Sequence, residues 1–440
     1  MRATVFYSSA EGARWDAPIS AEKSTPCAVV TLDPQRSFQR VLGFGGAFTE
    51  ASAYVFSQLS PSAQREFLTA YFDPEEGLGY TLGRVGVHSN DFSLCSYVYA
   101  EENDWSLKSF SLEHEQLWLL PLLRQAKERC GSLKLMASAW SPPSWMKTNK
   151  SMLHGGSLCP EHRAHWAEYL HRYLSEMKRH GVPIDYLSIQ NEPEAVQPWE
   201  SCLYTPEQEA AFIAEHLGPL LRKHHPDVHL LGWDHNRDHI KTWTDALMKS
   251  PAAEYIWGIG YHWYVSDDHG ALTETHCEHP RIHLVFTEGC LEGGPAPDSW
   301  EPAARYAENY LLDFNNWCEG FLDWNLLLDS EGGPNHVGNY CHAPVLADTS
   351  TRRIFKSSAY YAIGHFSRVL RPGAVRIGVQ CVDDLWAAAG RNQDGSLACI
   401  VYNPTAQPQN VQIQLFDAGP VQSFFMEPQS LASMLISPTE

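Results

Sequence analysis

The chain has 440 residues, of which 44% are hydrophobic and 12% aromatic, a composition that excludes a disordered protein and allows one large domain with a smaller accessory one. Its 52 acidic and 32 basic residues give a net charge of -20. A field of that sign repels phosphate backbones and anionic lipid surfaces, so nucleic acid is not an expected partner.

The cysteines and the N-terminal residues indicate the expected cellular compartment. Its eleven cysteines contain no Cys-x-x-Cys pair, so the pattern indicates neither a disulfide framework nor a zinc module. The first residues lack a basic region followed by an apolar stretch, and no later run approaches membrane-spanning length. We therefore expect a reduced, cytoplasmic chain without membrane insertion, and its oligomeric state stays open.

The first 35 residues predict strands. Thr4 to Tyr7 and Ala28 to Leu32 are short runs rich in β-branched and aromatic side chains. We expect both runs to join strands from the far end of the chain.

After residue 36, short apolar runs alternate with amphipathic stretches long enough for helices, which is typical of repeated βα units. The runs are Leu42 to Phe48, Thr81 to His88, Leu133 to Ala139, Ile184 to Gln190, His229 to Trp233, Trp257 to His262, Ile282 to Thr287 and Gly320 to Leu326. Eight such units favour a closed (β/α)8 barrel, the TIM-barrel fold. In the clearest connecting helix, apolar residues recur from Trp166 to Met177, and Gly181 and Pro183 stop it.

The pattern changes near residue 357. An apolar, helix-like segment from Tyr360 to Leu370 precedes alternating runs such as Leu397 to Tyr402 and Val411 to Leu415, which predict a small β-sandwich. The sequence thus predicts an α/β protein with a catalytic barrel over residues 36–356. A discontinuous accessory sandwich would comprise residues 1–35 and 357–440.

Two glutamates end predicted strands on the face where barrel enzymes carry their active sites. The fourth run ends in Asn191-Glu192-Pro193 and the seventh in Glu288-Gly289. Hydrolysis of a glycosidic bond with retention needs an acid for the leaving oxygen and a carboxylate that attacks the anomeric carbon, about 5 to 5.5 Å apart. The pair predicts Glu192 as general acid/base and Glu288 as nucleophile, although two surface loop carboxylates would give the same pattern.

Two further motifs carry less information. The segment GFGGAF from Gly43 lacks the spacing and the Lys-Ser/Thr ending of a phosphate loop, and tight strand-to-loop turning explains its glycines better. The run from His276 to His279 matches no zinc-ligand spacing. We therefore expect neither a metal nor a cofactor.

Eight segments together carry a resemblance that none carries by itself. They are GFGGAFTEASA from Gly43, SNDFSLCSYVY from Ser89, LMASAWSPPSWMKT from Leu135, LSIQNEPE from Leu187, YHWY from Tyr261, VFTEGC from Val285, DWNLLLD from Asp323 and GGPN from Gly332. Over nearly its whole length, the chain resembles glycoside hydrolase family 30 in its glucosylceramidase branch. The resemblance implies a retaining β-glycosidase that acts on small carbohydrates or glycosides.

The resemblance also implies a sugar-binding shell around the two glutamates. Its members would be Asp91, Trp140, Asn191, Tyr264, Trp324 and Asn339. Asp91 and Trp140 would hydrogen-bond glucose hydroxyls, and Asn191 would bind the 2-hydroxyl. Tyr264 would lie beside the nucleophile, and Trp324 would form one face of the pocket.

The loop after GGPN departs from the branch pattern. The segment reads His336-Val337-Gly338-Asn339-Tyr340, whereas the glucosylceramidases carry an aromatic residue and an arginine before the asparagine. Asn339 keeps its place, and His342-Ala343-Pro344 replaces an acidic-Ser-Pro triplet. These departures disfavour ceramide as the aglycone. We therefore expect an exo-acting β-glucosidase that removes terminal glucose from a short oligosaccharide or a small glucoside.

Three alternatives stay open at this stage. A β-1,6-glucanase or a β-xylosidase would use the same two glutamates. A non-catalytic carbohydrate-binding barrel would keep the aromatic shell, but binding does not need a carboxylate pair at this separation.

Overall fold

The computed structural model describes residues 2–12, 14–18, 28–381 and 384–437. In these ranges the strands are β1 (Arg2–Ser9), β2 (Arg14–Asp16), β3 (Ala28–Arg40), β4 (Gly43–Ala47), β5 (Leu82–Val87), β6 (Lys134–Ala139), β7 (Tyr186–Ser188), β8 (His229–Asn236), β9 (Ile256–His262), β10 (His283–Glu288), β11 (Cys318–Asp323), β12 (Leu327–Asp329), β13 (Val345–Asp348), β14 (Arg353–Lys356), β15 (Val375–Cys381), β16 (Trp386–Arg391), β17 (Leu397–Asn403), β18 (Gln409–Leu415), β19 (Gly419–Met426) and β20 (Ser430–Ser437).

The α-helices in the same ranges are α1 (Glu50–Gln58), α2 (Pro61–Phe72), α3 (Leu119–Arg129), α4 (Arg163–Arg179), α5 (Pro206–Phe212), α6 (Gly218–His224), α7 (Ile240–Met248), α8 (Gly270–Glu278), α9 (Glu301–Asn315) and α10 (Ser358–Ser367). A π-helical turn, Ile213–Leu217, joins α5 to α6. Among the described residues, no helix is both long enough and apolar enough to cross a bilayer.

Eight parallel strands, β4 to β11, form a closed barrel in chain order, and β11 pairs with β4 to complete the ring. Each strand coincides with one of the predicted runs, so the TIM-barrel prediction is confirmed. Helix α4 also has the predicted form, because Trp166, Leu170 and Tyr173 are buried along one face and Gly181 takes a left-handed φ of 82° just beyond its end.

The glycines of β4 allow close packing inside the strand and do not form the expected turn. A Cβ added at Gly45 would lie 2.1 Å from the backbone oxygen of Leu82, and one at Gly46 would lie 2.3 Å from Asp323 Oδ1. No side chain tolerates such distances. The prediction of a strand-to-loop turn at these glycines is therefore wrong. Glycine is required because β5 and β11 approach β4 too closely to leave room for a side chain.

A second, nine-stranded sheet combines both ends of the chain in the order β19-β18-β3-β15-β16-β17-β20-β1-β2. Strand β1 pairs with β20, and β3 lies between β18 and β15. Buried side chains from distant strands, including Val30, Val401, Phe424 and Met434, form one hydrophobic core. The sheet thus folds over on itself as a sandwich built from N- and C-terminal segments, which confirms the predicted fold class.

Helix α10 contacts both the barrel and the sandwich. The Tyr360 hydroxyl donates to the backbone oxygen of Ala70 in α2 at 2.9 Å, while the His365 ring lies 2.9 Å from Ser8 Oγ and 2.8 Å from Ser433 Oγ. These contacts fix the sandwich against the side of the barrel. The domain limits at residues 35/36 and 356/357 remain predictions.

Candidate active site

One cavity of about 350 Å³ contains all eight predicted site residues. It opens at the carboxyl ends of the barrel strands. The predicted residues among those that line it are Asp91, Trp140, Asn191, Glu192, Tyr264, Glu288, Trp324 and Asn339. The structure therefore brings together side chains that lie up to 248 positions apart in the sequence.

The backbone after β7 aims Glu192 into this cavity. Its φ of 49° is left-handed, an uncommon conformation for a residue with a side chain. Two backbone hydrogen bonds hold the turn: Asn191 N donates to Ala139 O at 2.7 Å, and Glu192 N donates to Asp234 O at 3.0 Å. The neighbouring strands β6 and β8 thus determine where the carboxylate points.

Glu288 is the last residue of β10 and faces Glu192. One oxygen of Glu192, one oxygen of Glu288 and a ring nitrogen of His262 all lie within 4.8 Å of one another. Both carboxylates line the cavity and neither is sealed from it. The two acids can therefore reach the same bound atom.

A buried arginine organises the floor of the site. Arg84 in β5 is completely buried, and its guanidinium donates to Glu288 Oε2, to Asn191 Oδ1 at 2.8 Å and to Asp234 Oδ2 at 3.0 Å. Its Nε donates to Ser138 Oγ at 3.1 Å. Sequence analysis missed this residue, although a lone cation within an apolar strand was the available signal.

Asp234 is the second buried charge that the sequence analysis missed. It accepts hydrogen bonds from the hydroxyls of Ser138 at 2.9 Å and Thr287 at 2.6 Å, and it lies at an irregularity of β8 where its φ is 62°. Burial by itself would raise the pKa of Asp234. The positive charge of Arg84 opposes burial and, with the hydrogen bonds from His262 and Ser188, brings that pKa well below its usual range. Asp234 is therefore ionised and neutralises part of the Arg84 charge.

Replacing Arg84 should cost more stability than replacing an exposed arginine in an ion pair. The variant Arg84→Met leaves two buried carboxylates without their cation, which should lower the free energy of unfolding by about 3 to 5 kcal/mol. The control Arg172→Met removes the half-exposed partner of Glu176 and should cost no more than about 0.5 kcal/mol. Urea denaturation measures both, and equal losses would contradict the role given to Arg84.

His262 connects Asp234 to Glu192. Its Nε2 lies 3.2 Å from Asp234 Oδ1, and its Nδ1 lies 3.3 Å from Glu192 Oε1. Burial lowers the pKa of His262, but the charge of Glu288 and the hydrogen bonds to Asp234 and Glu192 raise it to about 9. The imidazole is therefore protonated at neutral pH.

The same contact changes Glu192. Burial raises the pKa of Glu192, but the hydrogen bond and charge of His262, together with His235, bring that pKa below its usual value. The proton therefore belongs to the pair, in which His262 carries it and Glu192 lies within reach.

Aromatic side chains form one wall of the cavity. The rings of Trp140 and Trp324 stack with their centroids 5.3 Å apart and their planes at 25°. The Tyr264 hydroxyl donates to Glu288 Oε1 at 2.8 Å, so both Glu288 oxygens have donors. Flat indole faces of this kind can cover the apolar face of a sugar ring.

Asp91 and Asn339 meet in the same cavity. Asn339 Nδ2 donates to Asp91 Oδ2 at 2.9 Å. Burial and the nearby charge of Glu288 raise the pKa of Asp91 to about 8, so this carboxyl is protonated at neutral pH. A neutral carboxyl can both donate to and accept from a sugar hydroxyl.

His336, in the loop that departs from the branch pattern, fastens the segment that carries Asn339. Its Nε2 lies 3.5 Å from Glu200 Oε2, and its Nδ1 lies 2.8 Å from the backbone oxygen of Ser93. Burial raises the pKa of Glu200, but hydrogen bonds from His336, Ser96 and Ser89 lower it to about 2. A buried carboxylate thus ties this loop to the segment that follows β5.

The histidines near residue 279 have other partners. The His276 ring stacks on Trp317 at 3.6 Å between centroids. His279 lies 2.7 Å from Asp245, where the Lys241 ammonium already contacts Asp245 at 2.8 Å and Glu278 at 2.7 Å. A lysine therefore supplies the positive charge at this acidic cluster.

The sequence matches two domain models of one family. Residues 41–370 match the glycosyl hydrolase family 30 TIM-barrel domain, and residues 373–434 match the glycosyl hydrolase family 30 beta sandwich domain. The chain belongs to glycosyl hydrolase family 30. The resemblance carried by the sequence motifs is thus confirmed, and the protein is a glycoside hydrolase.

Relatives within family 30 cover most of the chain. It is 33% identical over 424 residues to the lysosomal acid glucosylceramidase of Mus musculus, spanning 91% of this chain and 82% of that one. It is 30% identical over 361 residues to an endo-1,6-beta-D-glucanase of Neurospora crassa, spanning 79% and 74%. The solved structure of SrfJ from Salmonella typhimurium superposes with a TM-score of 0.94, 33% identity and 100% coverage of both chains. The substrate is accordingly a carbohydrate or a glycoside.

Proposed function

We propose that this family 30 enzyme is a retaining, exo-acting β-glucosidase, with Glu192 as general acid/base and Glu288 as nucleophile. The separation of the two carboxylates carries the proposal, because their nearest oxygens lie within 4.8 Å. Retaining enzymes hold their two carboxyl groups about 5 to 5.5 Å apart, whereas inverting enzymes need about 6.5 to 9.5 Å to admit a water molecule.

Glu288 has the surroundings of a nucleophile. Arg84 donates to its Oε2, and Tyr264 donates to its Oε1, so the carboxylate is charged and held in one orientation. Attack on the anomeric carbon forms a glycosyl ester and consumes that charge.

Glu192 and His262 act together as the acid. The proton that the leaving oxygen needs is held by the pair, and Glu192 Oε1 is 3.3 Å from His262 Nδ1. The Glu288 charge is the largest contribution that raises the pKa of His262. Once Glu288 is esterified, the pair releases its proton more readily, and Glu192 is left as the base that activates water for the second step.

A second cavity adjoins the one that holds the two glutamates. The cavity of about 350 Å³ adjoins a second one of about 520 Å³, and the two share Tyr264, Cys290 and Glu292. Glu292, Glu301 and Glu308 line the second cavity together with Arg305, so its charge is net negative. An acidic lining suits a hydroxyl-rich aglycone better than the lipid chains of ceramide.

The second cavity also supports one alternative. A chain of β-1,6-linked glucose could extend through it, so that the enzyme cleaves internal bonds. The Neurospora crassa relative is named for that activity.

Product analysis distinguishes the exo-acting β-glucosidase from the endo-acting β-1,6-glucanase. Purified enzyme is given nitrophenyl β-glucoside, nitrophenyl β-xyloside and a β-1,6-glucan, and the first-formed anomer is followed by NMR. We expect fastest turnover of the glucoside, β-glucose as the initial product and only monosaccharide from the glucan. Early oligosaccharides would show endo action, faster turnover of the xyloside would show a xylosidase, and initial α-product would refute retention.

The two glutamates should fail differently when changed to glutamine. Glu288→Gln should abolish turnover of every glycoside, because an amide does not attack the anomeric carbon. Glu192→Gln should slow natural glycosides by about 10² to 10⁴-fold and slow aryl glycosides with good leaving groups much less, because they need little protonation. Steady-state kinetics with folding checked by circular dichroism measures both. Glu194→Gln, a partly exposed neighbour, is the matched control, and near-wild-type rates in either site variant would refute its role.

His262→Asn should move the basic limb of the pH profile of kcat/KM to lower pH. The His262 pKa is raised, so the proton of the pair is present below about 9 and is lost as pH rises through that value. Asparagine keeps a donor near Glu192 but cannot carry the proton, which leaves Glu192 to hold it unaided. His365→Asn is the control, since His365 is equally buried but lies in the sandwich contact. An unchanged basic limb in His262→Asn would rule out the shared proton.

A further inference from the structure

Two cysteines meet in the active-site cavity, and the proposed mechanism uses neither. Cys290 follows the nucleophile by two residues, and Cys341 follows Asn339 by two. Both side chains line the cavity and belong to the buried cluster around Trp140 and Trp324. Their exposed fractions are 5% and 1%, so only a small molecule that enters the cavity can reach them.

Backbone pairing holds the two segments side by side. Glu292 and Cys341 are opposite residues of an isolated antiparallel bridge, and His342 N donates to Leu291 O at 2.8 Å. Cys290 lies two residues before Glu292, so it is the diagonal neighbour of Cys341 on the same face. Diagonal neighbours have Cα atoms about 7 to 8 Å apart, slightly more than the 4.4 to 6.8 Å that is usual for a disulfide.

The pair is connected to the nucleophile through one side chain. Cys290 Sγ lies 3.7 Å from the Tyr264 hydroxyl, and that hydroxyl donates to Glu288 Oε1 at 2.8 Å. A change at Cys290 sulfur therefore acts on a residue that orients the attacking carboxylate.

We propose that Cys290 and Cys341 form a reversible oxidation site that lowers the activity of the enzyme. Hydrogen peroxide oxidises one thiol to a sulfenic acid and is reduced to water. The second thiol attacks the sulfenic sulfur, the S–S bond forms and a second water leaves. Two electrons from the two thiols thus reduce one peroxide to two waters.

Forming the bond must move the active-site loops. The two sulfurs have to approach to about 2.05 Å, which draws Cys290 Sγ away from Tyr264 and joins the loop after Glu288 to the loop that carries Asn339. A misplacement of about 1 Å in a catalytic site can cost on the order of a hundredfold in rate. The oxidised enzyme should therefore be at least about tenfold slower.

The surroundings make the Cys290 thiol slow to react at neutral pH. The Cys341 thiol and burial raise the pKa of Cys290, the Glu288 charge raises it further, and the Tyr264 hydroxyl opposes them. Since the thiolate is the reactive form, oxidation should accelerate as pH rises.

The test treats the full-length protein with hydrogen peroxide, blocks the remaining thiols by alkylation and maps the peptides by mass spectrometry. We expect one peptide pair joining Cys290 to Cys341 with the loss of two hydrogens. We also expect a loss of kcat/KM of about tenfold or more that dithiothreitol reverses. Each variant is compared with its own untreated rate. Cys290→Ser and Cys341→Ser should both lose the linkage and the peroxide sensitivity, whereas Cys130→Ser, a buried cysteine outside the cavity, should keep both.

Three results would overturn the proposal. Oxidation of other cysteines while Cys290 and Cys341 stay free, or separate over-oxidation of the two, would exclude the disulfide. A complete linkage with unchanged kcat/KM would exclude its effect on the site. Peptide mapping needs no substrate, so failure of the proposed glucosidase activity would not be mistaken for failure of the oxidation site.

Discussion

The ion pair between buried Arg84 and the two carboxylates of Asp234 and Glu288 is the interaction on which the rest of the active site depends. Taking a cation fully out of water costs several kcal/mol even in real proteins, and only close, well-aligned anions and acceptors offset it. The rigid guanidinium fork satisfies Asn191 at the same time. A single side chain from β5 thus positions groups from β8, β10 and the turn after β7.

That arrangement gives the two glutamates of the proposed catalytic pair different partners. Glu288 receives hydrogen bonds from Arg84 and Tyr264, which stabilise its charge. Glu192 contacts His262, whose raised pKa keeps a proton beside the leaving group. Two carboxylates within 4.8 Å of one another would otherwise oppose each other's ionisation. Separate environments are what the proposed mechanism needs, in which one carboxylate attacks while the other supplies a proton.

The sequence revealed what is encoded locally. The barrel strands are short apolar runs, so the ring and the position of Glu192 and Glu288 at strand ends could be predicted. Arg84 and Asp234 were missed because their meaning comes from contacts that span 150 and 204 residues. The protonation of His262 likewise depends on three anions assembled by the fold. The need for glycine in β4 depends on the close approach of neighbouring strands. Motif resemblance pointed to residues that the fold brings into one cavity, because it carries the long-range information that periodicity lacks.

Covalent trapping tests the central claim most directly. A 2-fluoro-substituted β-glucoside with a good leaving group is incubated with the enzyme, and the labelled peptide is sequenced by mass spectrometry. If the two glutamates flank one anomeric carbon, inactivation leaves a single fluoroglucosyl ester on Glu288. Labelling of another residue, or turnover without any covalent adduct, would contradict the assignment of nucleophile and the double-displacement mechanism together.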